Sequence, residues 1–119
     1  LGFRMSNDEL VSLPIFELSK KIQSKEISVK EIVQSTLEQI EKLNPKINAF
    51  ITVCYEEAIE SAVILDKEIE NSSYRGSLHG IPIGIKDIID CEGIKTTFGS
   101  SMYRDNISKE DAECTRRLK

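Results

Sequence analysis

Five of the chain's six glycines lie between Gly76 and Gly99. That density constrains the fold more than any other feature of the sequence. Glycine lets the backbone enter conformations and close approaches that a Cβ forbids, so this stretch is shaped for something other than packing. It reads LHGIPIGIKDIIDCEGIKTTFGSS over 78–101. Ile81, Ile83 and Ile85 alternate with Pro82, Gly84 and Lys86. A period of two predicts a strand over 81–86, with the isoleucines on one face and Lys86 on the other. Pro82 belongs at the start or on the edge of such a strand. Asp90-Cys91-Glu92-Gly93 can turn the chain back into a hairpin partner over 94–98.

Upstream the pattern is helical. A helix is expected over 12–22, with Ser12 as its cap, Pro14 in the first turn and Ile15, Leu18 and Ile22 on one face. Ser28-Val29-Lys30-Glu31 is a capping-box pattern, and Val29, Ile32, Val33, Leu37, Ile40 and Leu43 extend it as an apolar stripe. Asn44-Pro45 is expected to end that helix, because a residue before proline is pushed out of the helical region. INAFITVC over 47–54 is β-branched and aromatic and reads as a buried strand. A further helix is expected over 57–71, through Ala58, Ala62, Leu65 and Ile69. Ser108-Lys109-Glu110-Asp111 reads as a cap opening a last helix that runs to Leu118. The pattern stops at Lys119, which fits an ordinary C-terminal helix and an interrupted chain equally.

The 119 residues are one domain's worth of chain. The apolar content of 39% is too high for disorder. No run approaches the roughly 20 apolar residues of a bilayer span. The net charge is −4, with basic residues spread along the chain, so direct nucleic-acid binding has no electrostatic footprint. Cys54, Cys91 and Cys114 form no CxxC pair, and His79 is the single histidine. Neither a disulfide framework nor a zinc site is indicated, no metal or organic cofactor is implied, and a reducing cytoplasm is the expected compartment. Residues 1–8 read as an N-terminal extension, with the first methionine at Met5, and 9–119 as the domain.

Lys86 is the candidate catalytic residue. Gly84 and Pro82 on its own face leave room before the amine, and apolar layers on either side predict a dry niche. Such a niche disfavours the charged form, and a neutral lysine can act as a general base toward a serine hydroxyl. Pairing with Asp87 or Asp90 would oppose this. From spacing alone, a lysine whose stem packs while its head reaches water fits as well.

The stretch LHGIPIGIKD followed by GIKTTFGSS resembles the lysine region of the amidase signature family. Within that family it is most similar to the aspartyl/glutamyl-tRNA amidotransferase A subunits. The order of the capped helix ending Asn44-Pro45, the Asn48-Ala49-Phe50 stretch and the following helix also agrees from about Glu9 onward. The resemblance implies an α/β fold, a mixed β-sheet surrounded by helices, of which this chain is the N-terminal part. It implies that Lys86 completes a Ser–cis-Ser–Lys triad whose serines lie in a later segment absent from these residues. It further implies release of ammonia from glutamine for transamidation of a mischarged tRNA, with other amidotransferase subunits as partners. The chain alone is then inactive. One departure stands beside the motif: Ile88 follows Lys86-Asp87, where the family commonly has asparagine. Two other functions remain open, part of an amidase acting on small amides and a non-catalytic interaction module.

The neighbouring residues carry lesser expectations. His79 reads as a loop histidine bonded to backbone, Asp87 as a holder of local backbone, and the three cysteines as reduced packing or surface thiols, with activation of Cys91 by positive charge as the alternative. Thr96, Thr97, Gly99, Ser100 and Ser101 either line a cleft or serve turns. Neither Ser100 nor Ser101 is assigned as nucleophile.

Overall fold

A computed structural model describes residues 5–119. Residues 1–4 of the expected extension lie outside the described residues. Among the described residues five α-helices follow one another: α1 (Asn7–Val11), α2 (Ile15–Gln23), α3 (Val29–Ile47), α4 (Tyr55–Glu70) and α5 (Glu113–Leu118), with a 3₁₀ turn at Ser101–Tyr103. The chain divides into two compact units, one ending at Pro82 and the other spanning Ile83–Lys119.

The first unit is a helical layer around α3, which packs against α1 and α4. The start of α3 is fixed twice. The Ser28 hydroxyl accepts from the Glu31 amide at 3.0 Å while the Glu31 carboxylate accepts from the Ser28 amide at 2.9 Å. Asp66, on α4, accepts from the next two free amides, Val29 at 2.7 Å and Lys30 at 3.0 Å. A carboxylate at the positive end of a helix dipole is stabilising, and this one also fixes α4 against α3. The apolar stripe is buried at Val29, Ile32, Val33 and Leu37, and it reaches the surface by Leu43. Leu10, Leu18, Ile22, Ala62 and Ile69 complete the core.

Several expectations are corrected. Ser12 does not cap α2; Pro14 stands there, and Ser12 closes α1, its hydroxyl donating to the Asp8 carbonyl at 2.6 Å. A Ser6–Glu9 capping box, not anticipated from the sequence, opens α1. α3 runs through Pro45 to Ile47, because proline in a last turn forfeits only one helical bond. Asn48 ends it in the left-handed region at φ 48°, with its amide donating to the Asn44 carbonyl at 2.8 Å. The side chain of Asn44 then takes both backbone groups of Phe50, at 2.8 and 2.9 Å. Residues 48–54 are therefore irregular, and the strand expected over 47–54 does not form.

The strands expected over 81–86 and 94–98 are also absent among the described residues. A ladder needs a partner, and the sole β contact among these residues is an isolated antiparallel bridge between Lys95 and Ile107. Ile83 and Ile85 are 44% and 37% exposed, whereas Ile81 packs on the helical core. Ser108 does not open the last helix. Its backbone pairs with Gly93 and Ile94 beside that bridge, and α5 begins only after Ala112.

Candidate functional site

The LHGIPIGIKD motif crosses the boundary between the two units, and its halves do different work. His79 and Gly80 belong to the helical unit. His79 is buried, its Nε2 donating to the Leu65 carbonyl at 3.0 Å and its Nδ1 accepting from the Arg75 amide at 3.2 Å. With both ring nitrogens committed to backbone, it ties the 75–79 loop to α4, as the sequence reading expected. Gly80 sits at φ 75°, and a Cβ there would lie 2.4 Å from Val29 Cγ2. Only glycine fits so close to the start of α3.

Lys86 belongs to the second unit. It is exposed, so the dry niche expected from the isoleucine pattern is not formed by the described residues. It makes no ion pair or hydrogen bond with them. The two acids that could have neutralised it point their oxygens elsewhere. Asp87 Oδ1 accepts from the Thr97 amide at 2.8 Å, and Oδ2 accepts from the Thr97 hydroxyl and from the Gly99 amide at 3.4 Å. The Thr97 hydroxyl, then the Thr97 amide, then the Gly99 amide and nearby Lys86 hold the Asp87 carboxyl below its ordinary range. The Asp87 carbonyl also accepts from the Phe98 amide at 3.0 Å. Asp87 is thus the backbone holder that its place in the sequence suggested.

Asp90 takes part in a second network that sequence reasoning missed. It accepts from the Ser108 hydroxyl at 2.6 Å, and Thr96 Oγ1 lies 2.8 Å from that same hydroxyl. The Asp90 carbonyl accepts from the Thr115 hydroxyl at 2.9 Å and from the Ala112 amide at 3.0 Å. Its partners stand 18 and 25 residues away, and no local pattern marks such pairs.

The other candidates resolve into structural duties. Ser100 caps the 3₁₀ turn, its hydroxyl accepting from the Met102 amide at 3.3 Å. Cys91 has its thiol pushed up, chiefly by burial, with Lys119 opposing. It is therefore a protonated thiol, in keeping with the reading of the cysteines as packing or surface thiols. Phe98 adopts a left-handed backbone at φ 54° immediately before Gly99 at φ 66°, and its ring meets Tyr103 edge-on at 5.2 Å. No helix among the described residues is long and apolar enough to cross a membrane.

Residues 31–119 match the family model described as Amidase. The A subunit of a glutamyl-tRNA(Gln) amidotransferase from Alkaliphilus metalliredigens is 37% identical over 111 residues, covering 93% of this chain and 23% of that protein. Its namesake from Caldanaerobacter subterraneus is 40% identical over 110 residues, covering 92% and 22%. Among solved structures, the peptide amidase PAM, in complex with the competitive inhibitor chymostatin, superposes with a TM-score of 0.85 at 27% identity. That match covers 92% of this chain and 23% of the peptide amidase. The chain thus spans less than a quarter of the length of these relatives.

Proposed function

Because the chain belongs to the amidase family and carries part of the amidase signature fold, we propose that Lys86 is the terminal base of a Ser–cis-Ser–Lys triad. The chain is then the lysine-bearing N-terminal portion of an amidotransferase polypeptide that takes ammonia from glutamine for transamidation of mischarged tRNA. The observation that carries this reading is a lysine with aspartates one and four residues further on, paired with neither, because Thr97, Gly99 and Ser108 occupy their carboxylates. An ammonium locked in an ion pair makes a poor base; one left without a partner can lose its proton once water is excluded.

In the proposed reaction the Lys86 amine takes the proton of a bridging serine, which takes the proton of the nucleophilic serine. The nucleophile's oxygen bonds to the amide carbonyl carbon, the C–N bond breaks, and the proton returns along the same path to leave with ammonia. Both serines and the dry walls around Lys86 belong to polypeptide outside these 119 residues, so the chain alone hydrolyses no amide. Other amidotransferase subunits and the mischarged tRNA are the partners of this reading. A cytoplasmic setting agrees with three cysteines that form no CxxC pair.

Replacing Lys86 by Met in the full-length protein, assembled with its partners, is expected to lower glutamine-dependent ammonia release by at least about 10³-fold. Ammonia release at the unmodified rate would overturn the assignment. A second reading, an amidase acting on small amides, is supported by the likeness to the peptide amidase PAM. Hydrolysis of simple amides without partner subunits or tRNA would select it.

A further inference from the structure

We propose that Thr97 is a positioning residue for Lys86. It grips the Asp87 carboxylate with its hydroxyl and its amide, withholding those oxygens from a direct ion pair with the neighbouring ammonium and anchoring the turn that carries the lysine. This inference rests on Lys86 being the base.

The turn itself is pinned at both of its first residues. The Lys86 carbonyl accepts from the Ile89 amide at 2.9 Å, and the Asp87 carbonyl from the Phe98 amide at 3.0 Å. Across from it, Phe98 and Gly99 curl through the left-handed region in succession, at φ 54° and 66°. The amides of Thr97 and Gly99, on either side of Phe98, both reach the one carboxylate. Phenylalanine adopts such a conformation only under compulsion, and strained backbone of this kind gathers at functional positions. The strain has a visible consequence here. Three donors converge on Asp87, two of them from Thr97.

A carboxylate next in sequence to a lysine would otherwise be its natural ion-pair partner. Held by three donors, it stays ionised but has little acceptor capacity to spare. Other charges of this unit are occupied as well. Asp90 accepts from Ser108, Asp111 pairs with Lys119, and Lys95 pairs with Asp105. Thr97 is thus the residue whose removal most directly releases a negative charge toward Lys86.

The test compares Thr97→Val, Thr97→Ser and Asp87→Asn in the full-length protein assembled with its partners, by the pH dependence of kcat/KM for ammonia release. Thr97→Val frees a carboxylate oxygen for the ammonium, so the acid limb should move up by about one pH unit, with about tenfold less activity below it. Thr97→Ser keeps the hydroxyl and should restore the original limb. Asp87→Asn removes the charge and should move the limb down. A purely structural role would lower activity equally at every pH, and a limb fixed in both Thr97→Val and Asp87→Asn overturns the proposal. Should Thr97→Val fail to fold, Thr97→Ala removes the same hydroxyl and its limb, read against that of Thr97→Ser, decides in its place. Lys86→Met separates this outcome from failure of the base assignment: if that variant stays active, the limb belongs to another group and both readings fall.

Discussion

The two units of this chain solve the same problem with opposite materials. The unit ending at Pro82 buries Leu10, Leu18, Ile22, Val29, Ile32, Val33, Leu37, Ala62 and Ile69 among its helices. In Ile83–Lys119 the buried residues are Thr96, Ser108 and Thr115, and every one carries a hydroxyl. The first unit is held by apolar area, which is non-directional and tolerant of sequence drift. The second is held by directed hydrogen bonds around Asp87 and Asp90, each dependent on a particular donor at a particular distance. Geometry of that kind costs tolerance: removing a donor leaves an acceptor unsatisfied.

The sharpest way to break this contrast is to make the same substitution in both units. Ile32→Ala is expected to destabilise by about 2–5 kcal/mol in chemical denaturation, since Ile32 is 1% exposed at the centre of the core. Ile83→Ala should cost no more than about 0.5 kcal/mol. Equal losses would show that the second unit hides an apolar core after all. Next in size, Ser108→Ala should cost about 1–3 kcal/mol, because it strips a hydrogen bond from Asp90 and one from Thr96 together. Hydrogen exchange should report it as lost protection at the Gly93 and Thr96 amides, which pair with Ser108 and Asn106. Unchanged protection there would demote the hydroxyl network to decoration.

The smallest effect is that of pH. Asp87 is held below its ordinary value by Thr97, and Asp111 by Lys119 and the Glu92 amide. A carboxyl whose folded value is depressed contributes stability above the unfolded value, near 4, and loses it as pH falls through the folded value. Amide protection in residues 83–119 should therefore decline progressively below about pH 4. Protection that rose on acidification would contradict the assigned bonds.

Much of the helical unit is legible along the chain because its causes are local. The Ser28–Glu31 box, the stripe from Val29 to Leu37 and the 4-3-4 spacing from Ala58 to Ile69 operate within a few residues, and all three hold. Legibility fails where a local cue competes with a distant partner. Pro45 resembles a stop, yet Asn48 and the Asn44–Phe50 clasp close the helix two residues later. Ser108 resembles a cap, yet Asp90 and Ile94 claim it first. The isoleucine alternation over 81–86 resembles a strand, but periodicity describes which side chains share a face and supplies no partner for the backbone.

The family, α3, α4 and the lysine at the end of GIPIGIK were readable from residue order, because motif residues and capping pairs lie close together in the chain. What surrounds that lysine was settled by folding. Its neighbouring acids are turned away by hydroxyls 10 and 18 residues distant, and its amine lies open. A charge is governed by what lies within a few ångströms of it, and residue order does not specify those neighbours.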